Sequence, residues 1–112
     1  MNDKELRILN KVLEYANEVF SYVDGITYDM FLTDRKTISA TAFMLGQIGE
    51  LAKSLSDDTM LRISQVNWSG VKGLRNRIFH DYEKIDMKML WNVIDAYLPE
   101  LTEQIDNYLN SV

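Results

Sequence analysis

Residues 3–23, DKELRILNKVLEYANEVFSYV, carry apolar side chains at steps of three and four residues. The members of this stripe are Leu6, Leu9, Val12, Leu13, Ala16, Val19, Phe20 and Val23. Such spacing places them on one face of an α-helix, which must be covered by other parts of the fold. Asp24 and Gly25 predict the end of this helix.

A second long helix is predicted from a cap at Asp34 to about Ser56. Its buried stripe should contain Ile38, Ala42, Phe43, Leu45, Ile48, Leu51, Ala52 and Leu55. Residues 26–32, between the two helices, fit either a helical turn or an extended connector.

The remaining chain predicts further helices. Residues 56–58 should break the second helix and cap a short one from Thr59 to about Gln65. The turn-rich residues 67–70 precede a helix that runs to about Tyr82. Asp86 should cap the last helix, in which Pro99 predicts a kink or a restart. Its apolar positions are Met89, Leu90, Val93, Ile94, Tyr97, Leu98, Leu101, Ile105 and Tyr108.

Length and composition favour one all-α domain covering residues 1–112. The chain has 112 residues, which is long enough for one hydrophobic core and too short for two. It has one proline and five glycines, too few turn-forming residues for an all-β fold. It has no cysteine and one histidine, so neither a metal site nor any other cofactor is expected. No apolar run approaches the roughly 20 residues that span a bilayer, and we expect a soluble cytoplasmic protein without membrane contact.

The formal net charge is −5, which argues against a general nucleic-acid binder. The distribution is uneven, however. Residues 35–84 carry eight basic and five acidic side chains, whereas the two flanks are acidic. An anionic ligand should therefore bind the middle of the chain.

The richest group of reactive side chains lies in residues 73–82, GLRNRIFHDY. On a helix, Asn76 and His80 share one face, and Arg77 and Asp81 pair on another. Arg75 shares a face with Tyr82 but differs from His80 by about 140°, so one straight helix cannot aim both at one ligand atom. A two-fold symmetric dimer would bring two such helices into one cleft.

Histidine and arginine suit metal-independent RNA cleavage. His80 can move protons near neutral pH, and Arg75 can bind phosphate oxygens through two donors. Asn76 can orient the imidazole or hydrogen-bond the phosphate, and Tyr82 can donate its hydroxyl. The spacing alone is weak evidence, because a lone histidine among aromatic residues also fits a hydrogen-bonded structural role.

The string Leu-Arg-Asn-Arg-Ile-Phe-His-Asp-Tyr at residues 74–82 resembles the Arg-x4-His-x-Tyr signature of HepT-like HEPN proteins. Three neighbouring features are also similar to that family: Gln47-x-Gly49-Glu50, Asn67-Trp68 and Ile85-Asp86. Three of these residues have a structural explanation as well. Gly49 would allow close helix packing, Glu50 would be a solvated or capping carboxylate, and Trp68 would belong to the core.

The resemblance implies an antiparallel bundle of four to five helices that forms a homodimer, with Arg75 and His80 of both subunits lining a shared cleft. It implies an endoribonuclease toxin that acts on RNA. It also implies a nucleotidyltransferase antitoxin as partner, which silences the toxin by transferring AMP to Tyr82, in a homodimer or a larger complex with the antitoxin. Two alternatives stay open: a noncatalytic module that binds a nucleotide or presents a substrate to that transferase, and a purely structural helical dimer.

Overall fold

The protein is described by a computed structural model that covers residues 2–112. Within this range the chain contains no strand, which confirms the all-α prediction. Its helices are α1 (Asp3–Val23), α2 (Tyr28–Thr33), α3 (Arg35–Ala52), α4 (Asp57–Arg62), α5 (Trp68–Asp81), α6 (Met87–Asn92) and α7 (Leu98–Ser111). A 3-10 turn, Tyr82–Lys84, follows α5, and a π-helical segment, Val93–Tyr97, joins α6 to α7.

The first helix has the predicted bounds. The side chain of Asn2 accepts a hydrogen bond from the Glu5 amide and caps the start of α1. Gly25 follows the helix with φ +76°, a left-handed conformation that glycine adopts without a steric penalty. The open alternative for residues 26–32 is resolved as a short helix, α2, capped by Thr27.

The second long helix differs from its prediction in two respects. Asp34 caps α3 as predicted, but the helix ends at Ala52 rather than near Ser56. The amides of Lys53 and Ser54 bond to carbonyls three residues back, so the last turn tightens and stops. Phe43, predicted to be buried, is 58% exposed because its side of α3 is left uncovered by the neighbouring helices.

The next two helices begin at side-chain caps. Ser56 caps α4, so this helix starts and ends earlier than predicted. Asn67 accepts a hydrogen bond from the Gly70 amide and starts α5 at Trp68. The predicted core role of Trp68 is confirmed: the residue is buried, and its indole N–H donates to the Ile63 carbonyl at 3.2 Å.

The helical turn before Pro99 departs from regular α-helix geometry. Asp86 caps α6 as predicted. Before the proline the helix widens into its π-helical segment, and the Leu98 amide bonds to the Val93 carbonyl five residues back. The restart predicted at Pro99 therefore takes the form of one widened turn, after which α7 continues to Ser111.

Helix α3 lies between α1 and α5 and runs antiparallel to both. The Glu5 carboxylate at the start of α1 is buried and accepts a hydrogen bond of 2.6 Å from the Ser56 amide just beyond α3. Phe31 of α2 packs against Trp91 of α6 with ring centroids 5.0 Å apart. Among the described helices, none is both long and apolar enough to cross a membrane.

Candidate active site on helix α5

The orientation of α5 follows from its apolar side. Trp68, Val71 and Ile78 are buried against the core. Arg75 is partly buried, whereas Asn76 and His80 are exposed. The polar side chains of residues 75–80 therefore lie along the outer side of α5 and at its contact with α3.

Two glycines of α3 allow α5 to approach closely. A Cβ atom added at Gly49 would stand 2.8 Å from the Val71 carbonyl oxygen and closer still to the Cβ of Arg75. At Gly46 an added Cβ would meet the ring of Phe79 at 2.6 Å. Close packing, the structural explanation given for Gly49, is thus what the structure shows.

This close approach brings Arg75 to Glu50. The Arg75 Nε donates to Glu50 Oε2 at 2.6 Å, and one terminal nitrogen donates to Asn76 Oδ1 at 3.0 Å. The guanidinium also lies over the Phe79 ring, 4.9 Å from its centroid. These contacts fix the plane of the guanidinium. Within residues 2–112, two of its five N–H donors form hydrogen bonds, which leaves three for an anion.

The ion pair also affects Glu50. The hydrogen bond from Arg75 lowers the pKa of the Glu50 carboxyl, and Lys53, 3.7 Å away, adds a smaller effect in the same direction. Glu50 is thus a charged partner of Arg75 rather than a helix cap. Glu50 was expected from the sequence to be a solvated or capping carboxylate, and its contact with Arg75 was not predicted. Its position next to Gly49, the point of closest helix approach, is the signal that could have found it.

His80 stands apart from Arg75. It is exposed in the last turn of α5, and within residues 2–112 it has no hydrogen-bond partner, which is not the setting of a structural core histidine. The Asn76 side chain accepts from Arg75 and forms no hydrogen bond with His80 in the described part of the chain. The predicted ion pair between Arg77 and Asp81 is likewise not found there within 4 Å.

Tyr82 contacts α3 at a different position from Arg75. It is the first residue of the 3-10 turn, and its hydroxyl is 2.8 Å from the Ser39 hydroxyl of α3. Both side chains line a groove of about 370 Å³ together with Leu32, Arg35, Ile38, Glu83 and Met87. Ser39 and Arg35 were not predicted as site residues. Ser39 is 43 residues from Tyr82 in the sequence, and no local pattern connects the two.

The site therefore has two parts along one contact between helices. Arg75, Asn76 and Glu50 form one connected group, and Tyr82 with Ser39 forms another. Within residues 2–112, His80 is exposed on α5 and forms no hydrogen bond or ion pair with either group. Residues 2–112 contain no cluster of three or more side chains of the types that bind metals.

The family model and the relatives that match this chain are all described as ribonucleases. A protein-family model described as Ribonuclease HepT-like matches residues 12–108. The chain is 29% identical over 113 residues to "Putative RNase MJ0127" of Methanocaldococcus jannaschii, covering 100% of this chain and 93% of that protein. It is 26% identical over 93 residues to "Probable ribonuclease HepT" of Thermococcus cleftensis, covering 83% and 84% of the two chains. No solved structure matches it significantly.

Proposed function

The chain belongs to the Ribonuclease HepT-like family, and from this premise we propose that it is a metal-independent endoribonuclease that uses Arg75 and His80. The observation that carries the proposal is the fixed guanidinium of Arg75. Glu50 and Asn76 hold its plane while three donors stay free, on the same helix as an exposed histidine. A preorganised cation of this kind stabilises charge that develops on a phosphate.

The proposed reaction has three requirements: a proton acceptor for the 2′-hydroxyl, stabilisation of the charged phosphorane and a proton donor for the leaving oxygen. His80 of one subunit removes the proton of a ribose 2′-hydroxyl, and the 2′-oxygen attacks the adjacent phosphorus. The free N–H groups of Arg75 bind the nonbridging oxygens of the phosphorane. The bond to the 5′-oxygen then breaks, and that oxygen takes a proton from the second His80. The products carry a 2′,3′-cyclic phosphate and a 5′-hydroxyl.

A homodimer would supply the second histidine and bring the groups together. Arg75 and His80 are about 140° apart around a helix, so one straight helix does not bring both to one ligand atom. Phe43 and Phe79 are 58% and 40% exposed and lie on α3 and α5 beside this site. Apolar side chains so exposed are suited to a subunit contact, and a second copy placed there would put two α5 helices side by side.

The test is incubation of purified protein with RNA in the presence of EDTA. Wild type should cleave, and Arg75→Ala and His80→Ala should each lose activity by orders of magnitude with unchanged circular dichroism. Near-normal cleavage by His80→Ala would contradict the acid–base role. Intact RNA with wild type would instead favour the noncatalytic binding module.

We further propose regulation by a nucleotidyltransferase antitoxin that modifies Tyr82. The Tyr82 oxygen would attack the α-phosphate of ATP, losing its proton, while pyrophosphate leaves. Support comes from the exposure of the phenol and from its position in an open groove. Coexpression with a transferase encoded beside this chain should add one or more AMP masses to wild type and to Tyr22→Phe, but none to Tyr82→Phe. Tyr22 is a matched control because it is equally exposed and lies on α1.

A further inference from the structure

The groove beside Tyr82 has the size and composition of a small-ligand site. Its volume of about 370 Å³ falls within the roughly 300–1,000 Å³ of such sites. Leu32, Ile38 and Met87 supply apolar surface, Arg35, Ser39 and Tyr82 supply hydrogen-bonding groups, and Glu83 contributes one carboxylate. A ligand with one flat apolar part and one anionic part would match both.

Arg35 is available for an anion. It is exposed, lines the groove, and forms no ion pair with any residue between 2 and 112. The neighbouring carboxylate, Asp34, is instead engaged by the backbone and hydroxyl of Thr37 at 3.1 and 2.7 Å. Arg35 and Ser39 are four residues apart on α3 and so share one face of the helix. An anion beside the Ser39 hydroxyl therefore lies next to the Arg35 side chain.

We propose that this groove binds a nucleoside monophosphate unit. Arg35 and the Ser39 hydroxyl contact the phosphate, and the base lies on the apolar wall. The inference rests on the proposed regulation by AMP transfer and names where the transferred group is held. The tethered nucleotide occupies the groove of its own subunit, with its phosphate bonded to the Tyr82 oxygen.

Tyr82 and Arg75 of the same subunit contact α3 at separate positions. The two residues are seven positions apart, about 10 Å along a helix axis at 1.5 Å per residue. Their partners on α3, Ser39 and Glu50, are eleven positions or about 16 Å apart. The first contact of the phosphate is therefore assigned to Arg35 and not to Arg75 of the same subunit.

The test uses AMP itself as probe, because a short tether supplies an effective concentration in the millimolar range. Nuclear magnetic resonance titration of the whole chain should show saturable shifts at Ser39, Met87 and the 82–84 turn with millimolar AMP. Adenosine and inorganic phosphate, each with half of the interactions, should bind more weakly. Arg35→Ala should weaken AMP binding by about tenfold or more, since it removes a charge-assisted contact.

Two control variants test whether the loss of AMP affinity is specific to Arg35. Lys36→Ala removes the same charge from the next position, which does not line the groove, and should change AMP affinity by less than about twofold in moderate salt. Arg75→Ala should also leave AMP binding in place. Loss of binding in Arg75→Ala but not in Arg35→Ala would overturn the proposal, as would no binding at millimolar AMP.

This experiment separates the inference from the proposed function, because it reads neither RNA cleavage nor tyrosine modification. If wild type cleaves RNA and gains AMP on Tyr82 while Arg35→Ala binds AMP normally, only the groove assignment fails. If AMP binds as described and RNA stays intact, the ribonuclease proposal fails alone.

Discussion

Replacing Gly49 by alanine tests whether the close approach of α3 and α5 builds the site. The added Cβ would stand 2.8 Å from the Val71 carbonyl oxygen and even closer to the Arg75 Cβ. Neither atom belongs to the flexible end of a side chain, so the strain must be relieved by moving α5 away from α3. That movement shifts Arg75 relative to its partner Glu50.

The magnitude follows from two opposing effects. Overpacking in a well-packed contact costs about 1–3 kcal/mol, and the rigid neighbours of Gly49 place it in the upper part of that range. Alanine in a helix interior is favoured over glycine by about 1 kcal/mol. The net loss is therefore about 1–2 kcal/mol, which lowers the Tm of a domain this size by about 4–8 °C.

Gly73→Ala is the matched control. Gly73 lies within α5, and a Cβ atom there would meet nothing within 4 Å. The same substitution should then gain up to about 1 kcal/mol from helix propensity and raise the Tm. Scanning calorimetry gives both values, and RNA cleavage by Gly49→Ala should fall about ten- to hundredfold if Arg75 is displaced by an ångström or less. Equal stability of the two variants would refute the reasoning.

The other predictions concern the site and the dimer. Glu50→Gln should reduce RNA cleavage by freeing the Arg75 side chain, as single-turnover kinetics will show. Because Arg75 holds the pKa of Glu50 below 4.5, the stability from this ion pair is complete above that pH and is lost as the pH falls through the lowered pKa. Denaturation at several acidic pH values should therefore show a shallower acid dependence in Glu50→Gln. Arg75→Lys should cleave poorly in the same assay, because an ammonium lacks the planar pair of donors. If the proposed homodimer forms through this surface, Phe43→Ser should lower the mass measured by light scattering toward that of a monomer, and an unchanged mass would remove Phe43 from the proposed interface.

The helices and most of their caps followed from the sequence because their causes are local. Asp34 and Asp86 cap the helices that their positions predicted, and the cap of α4, Ser56, lies within the predicted residues 56–58. Phe43 was assigned to the core because its spacing fits the stripe, but whether a stripe position is covered depends on the neighbouring helices. Spacing within one helix carries no information about them.

In the candidate site, too, the residues with a local sequence signal were predicted, whereas their partners on another helix were not. Arg75, His80 and Tyr82 stood out as reactive residue types at a family spacing. Their partners Glu50 and Ser39 are 25 and 43 residues away in sequence, and the packing of α3 on α5 brings them together. Tyr82 and Arg75 both contact α3, in keeping with the face they were predicted to share, but their partners on α3 are eleven positions apart.

The most direct test of the proposed cleavage uses one RNA oligonucleotide and a copy with a single 2′-deoxy nucleotide at the position that wild type cuts. Both are incubated with wild-type protein in EDTA, and the products are weighed by mass spectrometry. The proposed mechanism predicts a 2′,3′-cyclic phosphate and a 5′-hydroxyl from the first, and no cut at the substituted position of the second, which lacks the attacking group. Cleavage at the deoxy position, or products that end in a 3′-hydroxyl and a 5′-phosphate, would contradict it.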